Sequence, residues 1–234
     1  MEELKAILLG LDYSPLWISI KTGIVASIIS FFLGLYAARA VIKASSKIGA
    51  VIDGILTLPM IFPPTVSGFF LLFIFSRERP VGMLLYDRFD ISVVQTWLGC
   101  IIAATVMVFP LMYKNARAAF ELVDPNLVYA GRTLGMSEFK IFWKVVVPTA
   151  GPGIASGTVL TFARGMGEYG ATSMLAGNIP GKTATIAQKI ATDMKEGDFA
   201  TANVWVVIVL IISLLIIILM NLILAKSRKH VDRW

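Results

Sequence analysis

Apolar residues run along this chain in long unbroken blocks. Five intervals carry no charged residue: Thr22 to Ala38, Gly54 to Ser76, Ile91 to Tyr113, Val145 to Ala163, and Phe199 to Ala225. A hydrocarbon layer roughly 30 Å thick asks for about 20 such residues per helix, because in lipid every backbone N–H and C=O has to be bonded within the segment. The first interval is short, but Trp17, Ile18 and Ile20 extend it, and Lys21 can carry its charge to the interface along its own methylene stem. The pattern predicts an all-α integral membrane protein of one transmembrane domain, with spans at about 16–40, 52–76, 91–113, 146–170 and 202–225.

The spacing changes in the connection 114–147. Asp124 before Pro125 reads as an N-cap with proline at the first helical position. Leu127, Ala130 and Leu134 then form one apolar stripe, and Gly135 is a natural stop. A short surface helix is expected there, followed by a second turn from Ser137 to Trp143 that leads into the fourth span at Pro148. Its polar face is mixed in charge, which suits a protein groove better than lipid headgroups. After Gly181, Ile186, Ile190 and Met194 share a helical face, so a second short helix is expected along the opposite surface. The segment from Arg77 to Asp90 reads as a short loop of mixed charge.

Composition agrees with the blocks. The 234 residues are 57% hydrophobic and 15% charged, with mean hydropathy +0.79, whereas about a quarter of a soluble domain is charged. In lipid, the net charge of +6 is not a nucleic-acid footprint; the placement of Lys and Arg matters more. Segments 39–53, 114–144 and 226–234 hold twelve Lys/Arg, from Arg39, Lys43 and Lys47 to Lys226, Arg228, Lys229 and Arg233. The opposite side holds seven: Lys5, Arg77, Arg79, Arg88, Lys182, Lys189 and Lys195. That bias predicts N-out, C-in. The acidic start, Glu2 and Glu3, argues against a cleaved signal peptide despite the Ala38-Arg39-Ala40 triplet. Cys100 is the only cysteine, which excludes an internal disulfide.

Several features are candidates for chemistry. Ala176 to Thr183, AGNIPGKT, fits a loose phosphate-loop spelling, but Pro180 removes a backbone donor, no strand is expected before it, and the topology puts it outside. A tight turn at Gly177, Pro180 and Gly181 is expected instead. Pro59, Pro63 and Pro64 fall within one span, and with Thr65, Ser67 and Gly68 they favour a pathway-lining bend over a mere packing kink. Arg164 and Glu168 are four residues apart on one helix face. Ion pairing is the simpler reading, and attraction of an oxyanion by Arg164 the functional one. Gly153, Ser156 and Gly157 suggest close helix contact. Nothing resembles a zinc, serine or paired-aspartate catalytic motif, and the only histidine, His230, lies in the basic tail. No metal site and no cofactor bound by this chain is expected.

The 129–148 segment resembles the signature of the inner-membrane permeases of ABC importers: Glu-Ala-Ala, three residues, Gly, nine residues, Ile, one residue, Leu-Pro. Here the register is Tyr129-Ala130-Gly131, Arg132 to Leu134, Gly135, Met136 to Lys144, Val145, Val146, Val147-Pro148. Tyr129 stands in place of the acidic residue and Gly131 in place of the second Ala. Two further stretches, LPMIFPPTVSGFFLL and ARGMGEYGATSMLAGNIPGKTATI, are similar to the molybdate branch. The resemblance implies a MetI-like type I importer permease with five transmembrane helices and a cytoplasmic coupling helix formed by Tyr129, Ala130, Gly131, Arg132, Thr133, Leu134, Gly135 and Met136. It implies a homodimer in the inner membrane of a bacterium or archaeon, two copies of a cytoplasmic ATPase that hold ATP and Mg, and an external oxyanion-binding protein. The pathway and gate would draw on Pro63, Pro64, Thr65, Ser67, Arg164 and Glu168. Tungstate, sulfate or thiosulfate remain alternative cargoes, and an ion-coupled carrier the rival mechanism.

Overall fold

A computed structural model describes residues 9–231, whose regular structure is entirely helical. Lys5 and the side chains of Lys226, Arg228, Lys229, His230 and Arg233 lie outside the described residues. Helix α1 (Ser14–Lys43) runs unbroken, about 45 Å at 1.5 Å per residue. Helices α2 (Ser46–Ile61) and α3 (Pro64–Phe75) meet at a bend of 107°. Then come α4 (Pro80–Phe89), α5 (Trp97–Glu121) and the short α6 (Pro125–Thr133). Helix α7 (Glu138–Thr149) contains a π-helical turn, Phe142–Val146, and meets α8 (Gly151–Met166) at 77°. Helices α9 (Gly170–Leu175), α10 (Ile186–Glu196) and α11 (Phe199–Val231) complete the order. Among the described residues three helices, in α1, α5 and α11, are long and apolar enough to cross a membrane, or up to five if each bent pair counts as one span.

The breaks have local causes. Pro63 and Pro64 remove two successive N–H groups, so α2 stops at Ile61, Pro63 is extended (φ −52°, ψ 136°), and α3 restarts with proline at its head. The expected bend within 52–76 is thus a full break. Pro148 has no N–H for the Lys144 carbonyl, and the ladder before it widens into the π turn. Pro152 then withholds a donor from Pro148, and the chain turns at Ala150. Within the expected span 146–170 the helix is therefore broken at Ala150, and its second part ends at Met166.

Other boundaries shift as well. Helix α5 begins at Trp97, where Thr96 caps Gly99 N–H at 3.4 Å. It continues to Glu121, past the expected end of the span at Tyr113, because Ala116, Ala119 and Phe120 are buried in the core, with Arg117 and Glu121 paired at 2.8 Å one turn apart on the outer side. The Arg77–Asp90 segment, read as a loop, contains α4. On α10 the expected face is only partly right: Ile186 is buried but Met194 is 53% exposed. The buried residue there is Asp193, held by Lys189 from the previous turn.

Helices α1, α5 and α8 pack on one another. A Cβ on Gly157 would meet that of Asn115 at 2.6 Å, and one on Gly153 that of Ala119 at 2.7 Å. These small residues let the backbones of α8 and α5 touch, as their spacing suggested. Leu35, Ala38, Met112, Tyr113 and Phe142 form a core towards α6, and Leu71, Ala103, Met107, Ala171 and Leu175 a second one where α3, α5 and α9 converge.

Candidate functional site

Helix α6 is built by its ends. Asp124 Oδ1 accepts the N–H of Asn126 at 2.9 Å, with Pro125 at the first position. At the other end Leu134 N–H donates to Ala130 O and Met136 N–H to Gly131 O, both at 3.0 Å. Gly135 takes φ 72° between them, a left-handed stop that a Cβ would strain. Ser137 then caps the start of α7 by accepting the N–H of Lys140. Residues Tyr129 to Met136 are thus one helix-and-turn unit.

Its two faces differ. Gly131 is buried, and a Cβ there would meet Ile141 at 3.0 Å, so α6 lies directly on α7. Leu127 is 42% exposed, Tyr129 57% and Leu134 79%, and Ala130 and Thr133 are exposed too. The apolar stripe therefore faces away from the protein. Arg132 Nε donates to Glu138 Oε1 at 2.7 Å, while Lys43 Nζ donates to Glu138 Oε2 at 3.2 Å. Glu138 raises the Arg132 pKa above its ordinary value and ties α6 to the end of α1.

The second set of candidates also meets. A Cβ on Gly170 would lie 2.7 Å from Pro64 Cβ, and one on Gly68 2.8 Å from Ala171 Cα. The start of α9 is therefore seated on the start of α3, beside the Pro63–Pro64 break. Arg164 NH1 donates to Glu168 Oε2 at 3.0 Å, and Glu168 Oε1 accepts the Ala171 N–H at 2.9 Å. Glu168 is 2% exposed and Arg164 45%. The ion pair expected from i, i+4 spacing is present, and its carboxylate also fixes α9. Ser67 is buried, with no hydrogen-bond partner for its hydroxyl among the described residues, while Thr65, at the head of α3, is exposed, with its backbone N beside Gly170.

One polar cluster escaped the sequence reading. Asp53 on α2 accepts from Tyr113 OH at 2.7 Å, Lys114 Nζ at 2.8 Å and Arg117 NH1 at 2.8 Å, all on α5. Lys114 and Arg117 had counted only as topology markers; their i, i+3 spacing opposite a lone carboxylate was the signal available.

AGNIPGKT follows helix α9, not a strand. Gly177 and Gly181 take φ 70° and 71°. The N–H groups of Lys182, Thr183 and Ala184 all turn to the Ile179 carbonyl, and Thr183 Oγ1 accepts the Ile179 N–H. These donors close the turn on itself and do not line a phosphate cradle.

Residues 30–233 match the family model described as binding-protein-dependent transport system inner membrane component. The chain belongs to this family. It is an ABC importer permease subunit of several membrane helices, not an enzyme, and the family implies an ATPase and a substrate-binding protein as partners. Among permeases it is 39% identical to the molybdenum transport system permease protein ModB of Escherichia coli (strain K12), over 77% of this chain and 79% of that one. It is 31% identical to ModB of Haemophilus influenzae, over 88% and 92% of the two chains. It is 30% identical to the sulfate transport system permease protein CysT of Escherichia coli (strain K12), over 92% and 77%. The MetNI methionine ABC transporter, in an inward-facing conformation, shares the permease fold with a TM-score of 0.73 at 19% identity, over 97% of this chain and 98% of that one. The fold is thus the all-helical, MetI-like permease fold.

Proposed function

We propose that this permease carries molybdate, with two copies enclosing the path and a separate ATPase, loaded with ATP and Mg, driving it. The reading rests on one observation above the others: the exposed apolar face of α6, from Tyr129 to Met136, sits in the signature register of a chain 39% identical to a molybdenum permease. A short helix with Leu127 and Leu134 as anchors suits a groove in a protein partner. In this scheme the chain crosses five times, each bent pair counted once, N-out and C-in, with α6 on the ATP side; the bias of Lys and Arg along the sequence supports that orientation. An external oxyanion-binding protein delivers cargo on the other side. The α2–α3 break and the Arg164–Glu168 pair form the gate region, where freed carbonyls need water or a neighbouring subunit. No cofactor is held by this chain in this scheme.

Reconstitution tests the reading. Vesicles holding this chain, its ATPase and its binding protein are expected to take up molybdate only with ATP, and sulfate far more slowly. ATP-independent flux through this chain alone overturns the scheme; uptake of sulfate or thiosulfate in preference moves the cargo, in line with the 30% identity to CysT.

A further inference from the structure

Between α6 and the ends of α1, α5 and α7 lies a groove of about 610 Å³. Tyr129 and Arg132 of α6 stand at the edge of this groove, while its floor is built from residues to which the coupling role of the outward face gives no part. Its floor is apolar, with Ile42, Phe120, Val128, Ile141 and Phe142. Its rim is charged, with Arg39, Lys43 and Arg132 facing Glu121 and Glu138.

The rim charges do not balance. Glu121 is taken by Arg117 at 2.8 Å. Glu138 is shared between Arg132 and Lys43. Arg39 donates only to the Glu138 backbone carbonyl, at 3.1 Å, and lies over the Phe142 ring at 4.4 Å, with no carboxylate partner among the described residues. Two rim cations thus share one carboxylate, and a third, Arg39, has none among the described residues.

Depth points the same way. Helix α1 is about 45 Å long against a hydrocarbon layer of roughly 30 Å, and the groove lies at its end. Tyr36 and Trp143, ring centroids 6.2 Å apart, stand close to Arg39 and Phe142 in the chain. Such rings favour the headgroup level.

We propose that this groove binds an anionic phospholipid of the inner leaflet, an acyl chain lying on the Ile42 to Phe142 floor and the phosphate between Arg39 and Lys43. Basic pockets beside transmembrane helices on the cytoplasmic side take such headgroups, and guanidinium is well matched to phosphate. The placement in the inner leaflet rests on the cytoplasmic position of α6 proposed above. A lipid so bound bridges α1 and α6 at the contacts Glu138 makes, and so makes the seating of the coupling helix sensitive to bilayer composition.

The test is the lipid count on the assembled permease–ATPase complex in nanodiscs containing both phosphatidylglycerol and phosphatidylcholine, read by native mass spectrometry. Phosphatidylglycerol is expected to be retained preferentially. Arg39→Gln with Lys43→Gln is expected to weaken that retention roughly fivefold per cation removed. Val128→Trp fills the floor without touching charge and is expected to lower retention too, with thermal unfolding reporting that both variants are folded. Equal retention of the two lipids by the native chain, or unchanged retention in both variants, overturns the proposal. So does loss of the lipid whenever the ATPase is docked, which makes a protein segment the occupant. The count is independent of transport, so failure of molybdate uptake leaves this result standing, and the two readings fail separately.

Discussion

Gly170 and Gly68 join the two candidate gate segments by having no side chains. With a Cβ of residue 170 only 2.7 Å from Pro64 Cβ, Gly170→Ala is expected to cost roughly 1 to 3 kcal/mol by overpacking, seen as a lowered thermal midpoint in detergent. Glu168 tests the neighbouring ion pair. Glu168→Gln keeps an acceptor for the Ala171 N–H and loses the attraction to Arg164, which is 45% exposed, so a loss of about 1 kcal/mol or less is expected. Glu168→Ala also strands that N–H and is expected to be worse by roughly 1 to 3 kcal/mol. Equal stability of both variants and the native chain, together with altered uptake, would remove the structural role and favour the oxyanion one. The pair itself was legible from i, i+4 spacing. Its position against Pro64 was not, since that contact is set by how two broken spans fold back on each other.

At the scale of elements, legibility followed the range of the determining interactions. Asp124, Pro125, Gly135 and Ser137 act within a turn of where they stand, and α6 and the start of α7 appeared where those residues placed them. Charge-free runs marked the spans, but a helix does not end where its apolar stripe ends. Burial of Ala116, Ala119 and Phe120 carries α5 on to Glu121, and Asp53 buttresses that extension from α2. Asp53→Asn is expected to cost about 1 to 3 kcal/mol, towards the lower figure because Lys114 and Arg117 remain partly exposed; chemical unfolding of the purified chain measures it. For α6 the opposite split is expected. Tyr129→Ala and Leu134→Ala remove side chains exposed by 57% and 79%, so folding is unchanged, while affinity for the ATPase falls roughly tenfold in a pull-down titration. Unchanged affinity in both would send the docking surface elsewhere.

The whole molecule offers a direct test of orientation. Cys100 is fully buried, its thiol donating to the Thr183 carbonyl at 3.6 Å, so the native chain is expected to be silent to membrane-impermeant maleimide. Lys182→Cys is expected to label from outside intact cells, and Lys140→Cys only after the membrane is opened; the reverse result inverts the topology. The break at Ala150 and the end of α8 at Met166 bear on the bilayer itself. Taken without α7, from which it is bent by 77°, α8 has sixteen residues that rise only about 24 Å, less than the roughly 30 Å hydrocarbon thickness. A short apolar element is accommodated by thinning of the surrounding lipid, at fractions of a kcal/mol per Å of mismatch. Uptake in vesicles is therefore expected to decline from palmitoleoyl to erucoyl lipids, with acyl length acting on the chain as a mechanical load.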